Sequence, residues 1–316
     1  MNCDKKSNAD NGNSAVSAKN ITVFGGDGRA LAAAEKFIRR GYSVTLCGFS
    51  EAEKYPKGAR LCSSAVDALE NADVILFPLP LTRDGVHVFC PYDGGGGIKL
   101  DEIIGRGLMK PTARVFGGKL TADFKNALEA EGIFTFDYLD CESLALVNAH
   151  ATAEGALMYA MEATDKTVYG RNIAILGYGR IAERLCRLCE SFGAFVTVFA
   201  RREESRTLAR LHGASAAPLT PESAKTLSHG YDIIFNTVPA RIIPPDAVAL
   251  FTADTLYIEL ASSPFGIDAA DVRRSAARAI WASSIPGKYA PVTAGEMIAD
   301  VVISTLGSLT SGGDGV

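Results

Sequence analysis

The sequence predicts an α/β protein built from two doubly wound parallel-sheet domains, with an interdomain cleft and a C-terminal helix that crosses back to the first domain. Two observations support this class. Short apolar segments of strand length alternate with helical segments along the chain, and each half opens with a strand, a glycine-rich turn, a helix and a second strand. Such alternation is typical of parallel sheets covered on both faces. The length of 316 residues is enough for two domains of this kind.

The composition narrows the class of function. Hydrophobic residues make up 47% of the chain and charged residues 22%, as in ordinary globular proteins. The net charge of −4 is unlike that of proteins that bind nucleic acid or membrane surfaces. No apolar run reaches the roughly 18 residues that cross a bilayer. We therefore expect neither a nucleic-acid nor a membrane partner.

The chain ends and the cysteines carry further expectations. Residues 1–19 are polar and lack the apolar segment of a signal peptide, so they are predicted to be a disordered tail, as are residues 311–316. The seven cysteines are odd in number and scattered, which favours a reducing cytoplasm. Cys186 and Cys189 are one helical turn apart without a second cysteine or histidine pair, which predicts packing and no metal site.

The first domain is predicted to comprise residues 20–150 together with 287–310. Its strands are predicted at 21–24, 43–47, 73–77, 113–116 and 133–136. Arg29, Arg83 and Lys119 each follow a strand end, where ligands of parallel sheets gather. Taken singly, each is more typical of a solvated surface charge. Together they could line one cationic cleft for an anionic substrate.

The opening turn of the first domain, Gly-Gly-Asp-Gly-Arg at 25–29, differs from a dinucleotide-binding turn. It lacks the GxGxx[GA] arrangement, and Asp27 would lie awkwardly beside a pyrophosphate. This half is therefore not expected to bind a second dinucleotide. A long helix at 152–164, with Thr152 as its cap, is predicted to link the domains and to begin at the cleft.

The second domain, residues 151–286, contains the most informative segment of the chain. A predicted strand at 172–176 leads into Gly177-Tyr-Gly-Arg-Ile-Ala182, a helix follows, and the next strand spans 195–199. Gly177 permits the tight turn, Gly179 lets the backbone approach a pyrophosphate, and Ala182 is small enough for close helix packing. The pyrophosphate would lie on the unpaired N–H groups at the helix N-terminus. The pattern predicts a Rossmann-type dinucleotide site.

The residues after the second strand of this domain indicate which dinucleotide is bound. NAD-specific sites place an acid there to accept from the ribose 2′-hydroxyl, but this chain has Ala200-Arg201-Arg202 and no acid before Glu203. A guanidinium can donate two charge-assisted hydrogen bonds to a 2′-phosphate. The sequence therefore favours NADP over NAD, with a solvated basic loop as the alternative.

Two further loops complete the predicted cofactor site. The segments Thr237-Val238-Pro239 and Ala261-Ser262-Ser263 follow strands at 231–236 and 255–260, and are expected to approach the nicotinamide. The first could equally be a simple strand terminator, since proline ends a ladder. The predicted cofactor-binding residues are Gly177, Tyr178, Gly179, Arg180, Ile181, Arg201, Arg202, Thr237, Val238, Pro239, Ala261 and Ser262.

The overall plan resembles the D-2-hydroxyacid dehydrogenases, but their catalytic residues have no counterpart here. Ser262-Ser263 stands where those enzymes carry a substrate-binding arginine, and 286–289 reads Pro-Gly-Lys-Tyr where they carry a histidine. The chain has four histidines, none of them in that last loop. Alcohol oxidation with a histidine base is therefore disfavoured.

A closer resemblance, over nearly the whole chain after the tail, is to the family of dipicolinate synthase A subunits of spore-forming bacteria. Several motifs carry it by their order and spacing. They are GGDGR at 25–29, PLPLTRDG at 78–85, Asn148 with TAEG at 152–155, LGYGRI at 176–181, NTVP at 236–239, ELASSPFGID at 259–268 and PGKYAPVTAG at 286–295.

The resemblance implies the last step of dipicolinate formation, on a branch from the lysine pathway. A dihydro- or hydroxytetrahydropyridine dicarboxylate would be dehydrated and oxidised to the aromatic pyridine, with hydride passing to NADP⁺. It also implies that the partner is the dipicolinate synthase B subunit, a flavoprotein-like chain, in an oligomeric enzyme. The implied location is the mother-cell cytoplasm of a sporulating bacterium.

The residue types fit this chemistry in outline, because the substrate is a dianion and the protein must mainly orient it against the nicotinamide. Predicted substrate-binding residues are Arg29, Arg83, Lys119, Thr152, Ser262 and Ser263. Glu154 is the candidate base, and Lys288 the candidate carboxylate clamp. Glu154 could instead complement a helix dipole, Lys288 could only neutralise a turn, and nearby His150 is expected to be incidental.

Two other functions stay open at this point. The chain could be another two-domain NAD(P)-dependent oxidoreductase of a small acid. It could also be a non-catalytic NADP-binding component of a flavoprotein complex, since it lacks a dedicated catalytic histidine. The role of the glycine run 94–97, a lid or a plain connection, is open as well.

Overall fold

The computed structural model describes residues 19–94, 97–104 and 108–311, without the side chains of the last two. The described chain divides into two compact units, the first running to Tyr138 and resuming at Ile298, the second running from Leu139 to Met297. The tails predicted to be disordered, apart from Lys19 and Ser311, and the centre of the glycine run 94–97 lie outside the described residues.

The first unit contains a parallel six-stranded sheet in the order β3-β2-β1-β4-β5-β6. Its strands are β1 (Asn20–Phe24), β2 (Ser43–Cys47), β3 (Arg60–Cys62), β4 (Val74–Leu76), β5 (Arg114–Gly117) and β6 (Phe134–Asp137). Its helices are α1 (Gly28–Arg39), α2 (Ala65–Glu70), α3 (Leu100–Ile103) and α4 (Ala122–Ala130). The edge strand β3 was not predicted, because only three residues form it and two of them are exposed.

The second unit contains another parallel six-stranded sheet, in the order β12-β11-β10-β7-β8-β9. Its strands are β7 (Asn172–Leu176), β8 (Phe195–Ala200), β9 (Ser215–Pro218), β10 (Ile233–Asn236), β11 (Leu256–Glu259) and β12 (Arg278–Trp281). The helices after α4 are α5 (Glu142–Glu162), α6 (Arg180–Ser191), α7 (Glu203–Leu211), α8 (Pro221–Thr226), α9 (Pro245–Val248), α10 (Ala269–Val272), α11 (Ile285–Tyr289) and α12 (Pro291–Ser311). The two Rossmann-like sheets confirm the predicted fold class.

Helix α6 shows how the sequence pattern builds the second unit. Leu185, Cys186 and Cys189 are buried against the sheet, so the two cysteines are packing residues. Burial raises the pKa of both thiols to about 12. At Gly155 of α5, an added Cβ would lie 2.3 Å from a methyl carbon of Ile285, so glycine permits the close packing of α11 on α5.

The linking helix begins ten residues earlier than predicted, at Glu142 and not at Thr152. Thr152 is therefore not a cap, and its hydroxyl donates back to the carbonyl of Asn148 at 2.6 Å. All of α5 belongs to the second unit, because it packs along α6 and α11. The units accordingly divide at 138/139 and 297/298, whereas the sequence placed the boundaries at 150/151 and 286/287.

The last helix, α12, begins in the second unit and ends in the first, as the predicted crossover requires. Its residues Pro291–Leu309 are long and apolar enough to cross a membrane by length and composition alone, and 33% of that window is buried. The sequence prediction concerned an uninterrupted apolar run, and Glu296 and Asp300 interrupt this segment, although its mean hydropathy is high enough to pass the test. One such helix is weak evidence for a membrane. Moreover, Lys36 of α1 lies 2.6 Å from the carboxylate of Asp300 in its middle.

Candidate functional site

A cavity of about 690 Å³ opens at the carboxyl edge of the second sheet. In parallel sheets this edge is where ligands bind. The glycine turn after β7 forms its centre, the segment after β8 one side, and the segment after β10 the other. The predicted site residues that line it are Gly177, Tyr178, Gly179, Arg180, Ile181, Arg201, Arg202, Thr237, Val238, Pro239 and Thr152.

The two glycines of the turn have different structural roles. Gly177 has a φ of 92°, and an added Cβ would lie 2.6 Å from Thr237 Oγ1 and 2.9 Å from a methyl of Val238. Gly179 is the N-cap of α6 and has no heavy atom within 4 Å of an added Cβ. The first glycine therefore allows the turn to close, and the second leaves the helix N-terminus open to the cavity, where an anion would be stabilised.

The basic segment after β8 presents two available charges. Arg201 and Arg202 are exposed, and within the described parts of the chain neither guanidinium has a hydrogen bond or ion pair. Arg206 holds the segment in place by donating to the carbonyls of Ala200 at 2.8 Å and Arg201 at 2.6 Å. The two free guanidinium groups therefore project from a fixed backbone.

The first acid after β8, Glu203, is already neutralised. Its carboxylate pairs with Arg206 and, at 3.0 Å, with Arg210. Hydrogen bonds from Arg210 and Arg206 hold the pKa of Glu203 below its usual range. Ser205, which is 7% exposed, also lines the cavity, and sequence reasoning missed it. Its position, four residues after Arg201 at the start of α7, was the available signal.

Two contacts orient side chains of the glycine turn. Arg180 donates through Nε to Glu142 at 2.8 Å, and this hydrogen bond lowers the pKa of Glu142. The Tyr178 hydroxyl lies 2.8 Å from Nδ1 of His212, and burial raises the pKa of Tyr178 to about 12. Arg180 therefore has a carboxylate partner that a bound anion would have to displace.

Several predicted residues of the second unit lie outside this cavity. Ala261, Ser262 and Ser263 follow β11 but do not line it, and both serines are exposed. Lys288 is exposed on α11. Glu154 lies 3.4 Å from Nε2 of His150 and lines a separate depression. Thr152 and Glu154 face different sides of α5, because residues two apart on a helix point about 200° from each other.

The predicted cations of the first unit have separate environments. Arg29 is 7% exposed and lies 2.8 Å from the carboxylate of Asp27, so its charge is met within the fold. The guanidinium of Arg83 lies 4.0 Å from the centre of the Phe89 ring. Lys119 is exposed and has a φ of 57°. The predicted role of Arg29 in substrate binding stays a prediction, and any anion there would have to share Arg29 with Asp27.

A buried carboxylate joins the ends of β10 and β11, and sequence reasoning missed its role. Glu259 is 1% exposed and accepts from Asn236 Nδ2 at 2.6 Å and the Tyr257 hydroxyl at 2.8 Å. It also accepts from the backbone N–H groups of Ala261 at 3.0 Å and Gly266 at 2.7 Å. Burial raises its pKa, an effect that these donors oppose. The available signal was a lone acid ending an apolar strand.

Comparison with known proteins shows that the chain is similar to dipicolinate synthase A subunits. Residues 20–139 match the family model of the N-terminal domain of dipicolinate synthase A subunits. The dipicolinate synthase A subunit of Bacillus subtilis (strain 168) is 28% identical over 289 residues, which are 92% of this chain and 96% of that protein. The crystal structure of dipicolinate synthase, A chain, from Bacillus subtilis has a TM-score of 0.80 and 26% identity, covering 95% of this chain and 99% of that one.

A more distant likeness concerns the fold alone. An L-alanine dehydrogenase has a TM-score of 0.56 and 15% identity, covering 92% of this chain and 89% of that one. The two-sheet architecture is therefore one that dehydrogenases also use.

Proposed function

We propose that this chain, which resembles the dipicolinate synthase A subunits over most of its length, is an NADP-dependent oxidoreductase. Its substrate would be a dihydro- or hydroxytetrahydrodipicolinate, and its product pyridine-2,6-dicarboxylate. The proposal for the cofactor depends on one observation, the two unpaired arginines at one side of a cavity that begins at a glycine turn.

The charges around the cavity support a phosphorylated ribose. Arg201 and Arg202 are free to donate, while Glu203, the first acid after β8, is occupied by Arg206 and Arg210. A 2′-phosphate at this side would therefore meet two cations beside an acid that is already paired. Ser205 could add a hydroxyl donor from the first turn of α7. An NAD-specific site would need a carboxylate acceptor in the same place.

The order of the strands gives the direction of the dinucleotide. The pyrophosphate would lie on the N-terminus of α6, after β7, where Gly179 leaves the helix end open. Strand β8 lies on one side of β7 and β10 on the other. If the phosphorylated ribose occupies the β8 side, the nicotinamide half extends toward Thr237–Pro239 after β10.

The proposed reaction requires no covalent intermediate with the protein. The nicotinamide supplies the hydride acceptor, and formation of the aromatic ring supplies much of the driving force. The chain must orient the ring and hold its carboxylates. Thr152, which lines the cavity, and the exposed cations Arg83 and Lys119 stay candidates for substrate contacts. Glu154 and Lys288 lie outside the cavity, and we assign neither a step.

The partner and compartment are proposed on the likeness alone. The Bacillus subtilis relative is named as one lettered component of its synthase, which supports an enzyme of more than one kind of polypeptide. We accordingly propose that this chain acts in an oligomer with a flavoprotein-like B subunit, in the cytoplasm of a sporulating cell.

The cofactor proposal is tested by exchanging the two arginines. Arg201→Asp combined with Arg202→Ala should weaken NADP⁺ binding by about 100-fold, because each charge-assisted hydrogen bond contributes roughly 1.5–3 kcal/mol before solvent screening. Binding of NAD⁺, which lacks the phosphate, should change little. Isothermal titration calorimetry with both nucleotides measures the difference.

The matched control is Arg187→Ala, which removes an exposed arginine of α6 that does not line the cavity. It should leave both affinities unchanged. An equal loss of NADP⁺ and NAD⁺ in the double variant would show that the arginines do not recognise the 2′-phosphate.

The reaction is tested with the purified chain, dihydrodipicolinate and NADP⁺, with and without the B subunit. Formation of NADPH together with the aromatic product supports the proposal. Product that forms only with the partner present, and that is unaffected by the arginine exchange, would favour a non-catalytic binding component. Turnover of other small acids in place of dihydrodipicolinate would favour a different oxidoreductase.

A further inference from the structure

We propose that Glu259 is a positioning residue that acts through Asn236 to set the wall of the cavity at its nicotinamide side. The inference rests on the proposed function, since it concerns how the second unit receives the dinucleotide. Glu259 does not line the cavity itself. Its effect would pass through the hydrogen bonds that connect it to the residues that do.

The first step is the connection between two neighbouring strand ends. Asn236 and Glu259 are register partners on the parallel strands β10 and β11. Asn236 is 0% exposed and Glu259 is 1% exposed, and Asn236 Nδ2 donates to the carboxylate at 2.6 Å. A buried charge-assisted hydrogen bond of this kind is among the stronger ones in proteins. The carboxylate therefore determines how the amide of Asn236 is oriented.

The second step is the pair of hydrogen bonds by which Asn236 holds the backbone of the cavity wall at Val238. Its Oδ1 accepts from the backbone N–H of Val238 at 3.0 Å, and its Nδ2 donates to the Val238 carbonyl at 3.0 Å. Both polar backbone groups of one cavity-lining residue are thus bound by one side chain. Val238 in turn lies against the glycine turn, 2.9 Å from an added Cβ at Gly177. Glu259, Asn236 and Val238 form one connected line.

The third step is that the same carboxylate organises the loop after β11. It accepts from Ala261 at the start of that loop and from Gly266 at its end. An added Cβ at Gly266 would lie 2.6 Å from both Asn236 Nδ2 and the Tyr257 hydroxyl. The loop is therefore closed tightly over the carboxylate, and the ends of β10 and β11 are held as one body.

The fourth step explains why the residue must be an acid. All four neighbours of the carboxylate donate hydrogen bonds, and two carboxylate oxygens can accept all of them. Glutamine has the same shape but presents an N–H₂ group on one side. Since only the Tyr257 hydroxyl could turn to accept from it, the N–H₂ would face Tyr257 and the Gly266 N–H would lose its acceptor. Asn236 would keep an acceptor, but a neutral one in place of a charged one, which weakens its hydrogen bond. The wall would then be held less firmly, although the fold would keep its core.

The final step assigns the effect to one half of the dinucleotide. The wall Thr237–Pro239 follows β10, whereas the arginines that would bind the phosphorylated ribose follow β8, on the far side of β7. None of the four partners of Glu259 belongs to the segment that directly follows β8 and carries the two arginines. Loosening the wall should therefore affect the nicotinamide half and leave the adenosine half bound normally.

The test compares a whole dinucleotide with its adenosine half. Glu259→Gln should raise the Kd for NADP⁺ by about tenfold, in line with replacing the charged acceptor of the Asn236 hydrogen bond by a neutral one. The Kd for 2′,5′-ADP, which lacks the nicotinamide half, should stay within about twofold of wild type. The matched control is Tyr257→Phe, which removes one donor from the same carboxylate and leaves its backbone and Asn236 donors in place. It should bind both ligands as wild type does.

A second variant covers the case in which Glu259→Gln does not fold. Asn236→Ala removes the hydrogen bonds between Glu259 and the backbone of Val238 and leaves the carboxylate with three donors. It should show the same weaker binding of NADP⁺ with normal binding of 2′,5′-ADP. Equal binding of NADP⁺ by wild type and both variants would overturn the inference, as would an equal loss of NADP⁺ and 2′,5′-ADP. If wild-type protein binds neither ligand, the proposed function fails, which is a distinct result.

Discussion

The two glycines of the turn after β7 should differ in how much stability each loses when it is replaced by alanine. Gly177→Ala places a Cβ 2.6 Å from Thr237 Oγ1 and 2.9 Å from a methyl of Val238, at a φ of 92° that side chains rarely adopt. Neither neighbour can move freely. The Thr237 hydroxyl donates to the Leu176 carbonyl at 2.8 Å, and the backbone of Val238 is bound by Asn236.

The expected cost follows from these contacts. A non-glycine residue in such a backbone conformation costs about 1–3 kcal/mol, and displacing Thr237 forfeits a hydrogen bond of about 1 kcal/mol. Gly177→Ala should therefore lower the free energy of unfolding by about 2–4 kcal/mol. Because the clash is with the cavity wall, binding of NADP⁺ should weaken as well.

Gly179→Ala is the matched control. Its Cβ meets no heavy atom within 4 Å, and alanine tolerates its φ of −104°. Reduced freedom of the unfolded chain offsets the poorer helix cap, so stability should change by less than about 0.5 kcal/mol. The methyl would nevertheless occupy space that the pyrophosphate needs, and NADP⁺ binding should be largely lost.

Urea denaturation and nucleotide titration of both variants separate the two effects. The reasoning is refuted if Gly177→Ala is as stable as wild type, or if Gly179→Ala binds NADP⁺ with unchanged affinity. A large loss of stability in Gly179→Ala would also contradict it, since open space surrounds that position.

Two further outcomes follow from charged groups. Glu142→Gln should tighten NADP⁺ binding by roughly two- to fivefold, because it frees Arg180 and removes a negative charge near the pyrophosphate. The control is Asp246→Asn, which neutralises an acid outside the cavity. Weaker binding in Glu142→Gln would contradict the reasoning. Asp73→Asn should lower stability near pH 7 by about 1 kcal/mol. Although burial opposes ionisation of Asp73, hydrogen bonds from Lys110 and from the start of β1 lower its pKa. The folded-state pKa lies below the unfolded one, so this stability is present above the ordinary aspartate pKa and is lost as pH falls through the folded value. Thermal melts between pH 7 and pH 3 should converge for the two proteins, and a constant difference would exclude this origin.

Local patterns were sufficient to predict much of the second unit. The strand, turn, helix and strand around Gly177 depend on neighbouring residues and on glycine's backbone freedom, and the structure has them within a residue or two. The same holds for packing of Cys186 and Cys189, which followed from helical spacing. The start of α5 was harder, because Thr152 looks like a cap only until α6 and α11 are known to pack along the whole helix.

Other features depend on which distant groups meet, and no local pattern contains that information. The sequence shows that Glu203 follows the basic pair, but only the folded α7 shows that its carboxylate forms ion pairs with Arg206 and Arg210. In the same way the sequence has Asp27 two residues before Arg29, but only the structure shows that the two side chains form an ion pair. Side-chain direction, which backbone geometry sets, decided these outcomes.

The amino-acid sequence by itself determined the alternation of strands and helices, the glycine turn and the basic segment beyond it, because each arises from residues close together in the chain. Only the tertiary structure decided that hydrogen bonds connect Glu259 through Asn236 to Val238. Asn236 and Glu259 are 23 residues apart in the sequence and become neighbours because β10 pairs with β11 in the sheet. Burial then makes the hydrogen bond between an otherwise ordinary acid and amide a strong one, since buried polar groups must find partners within the fold.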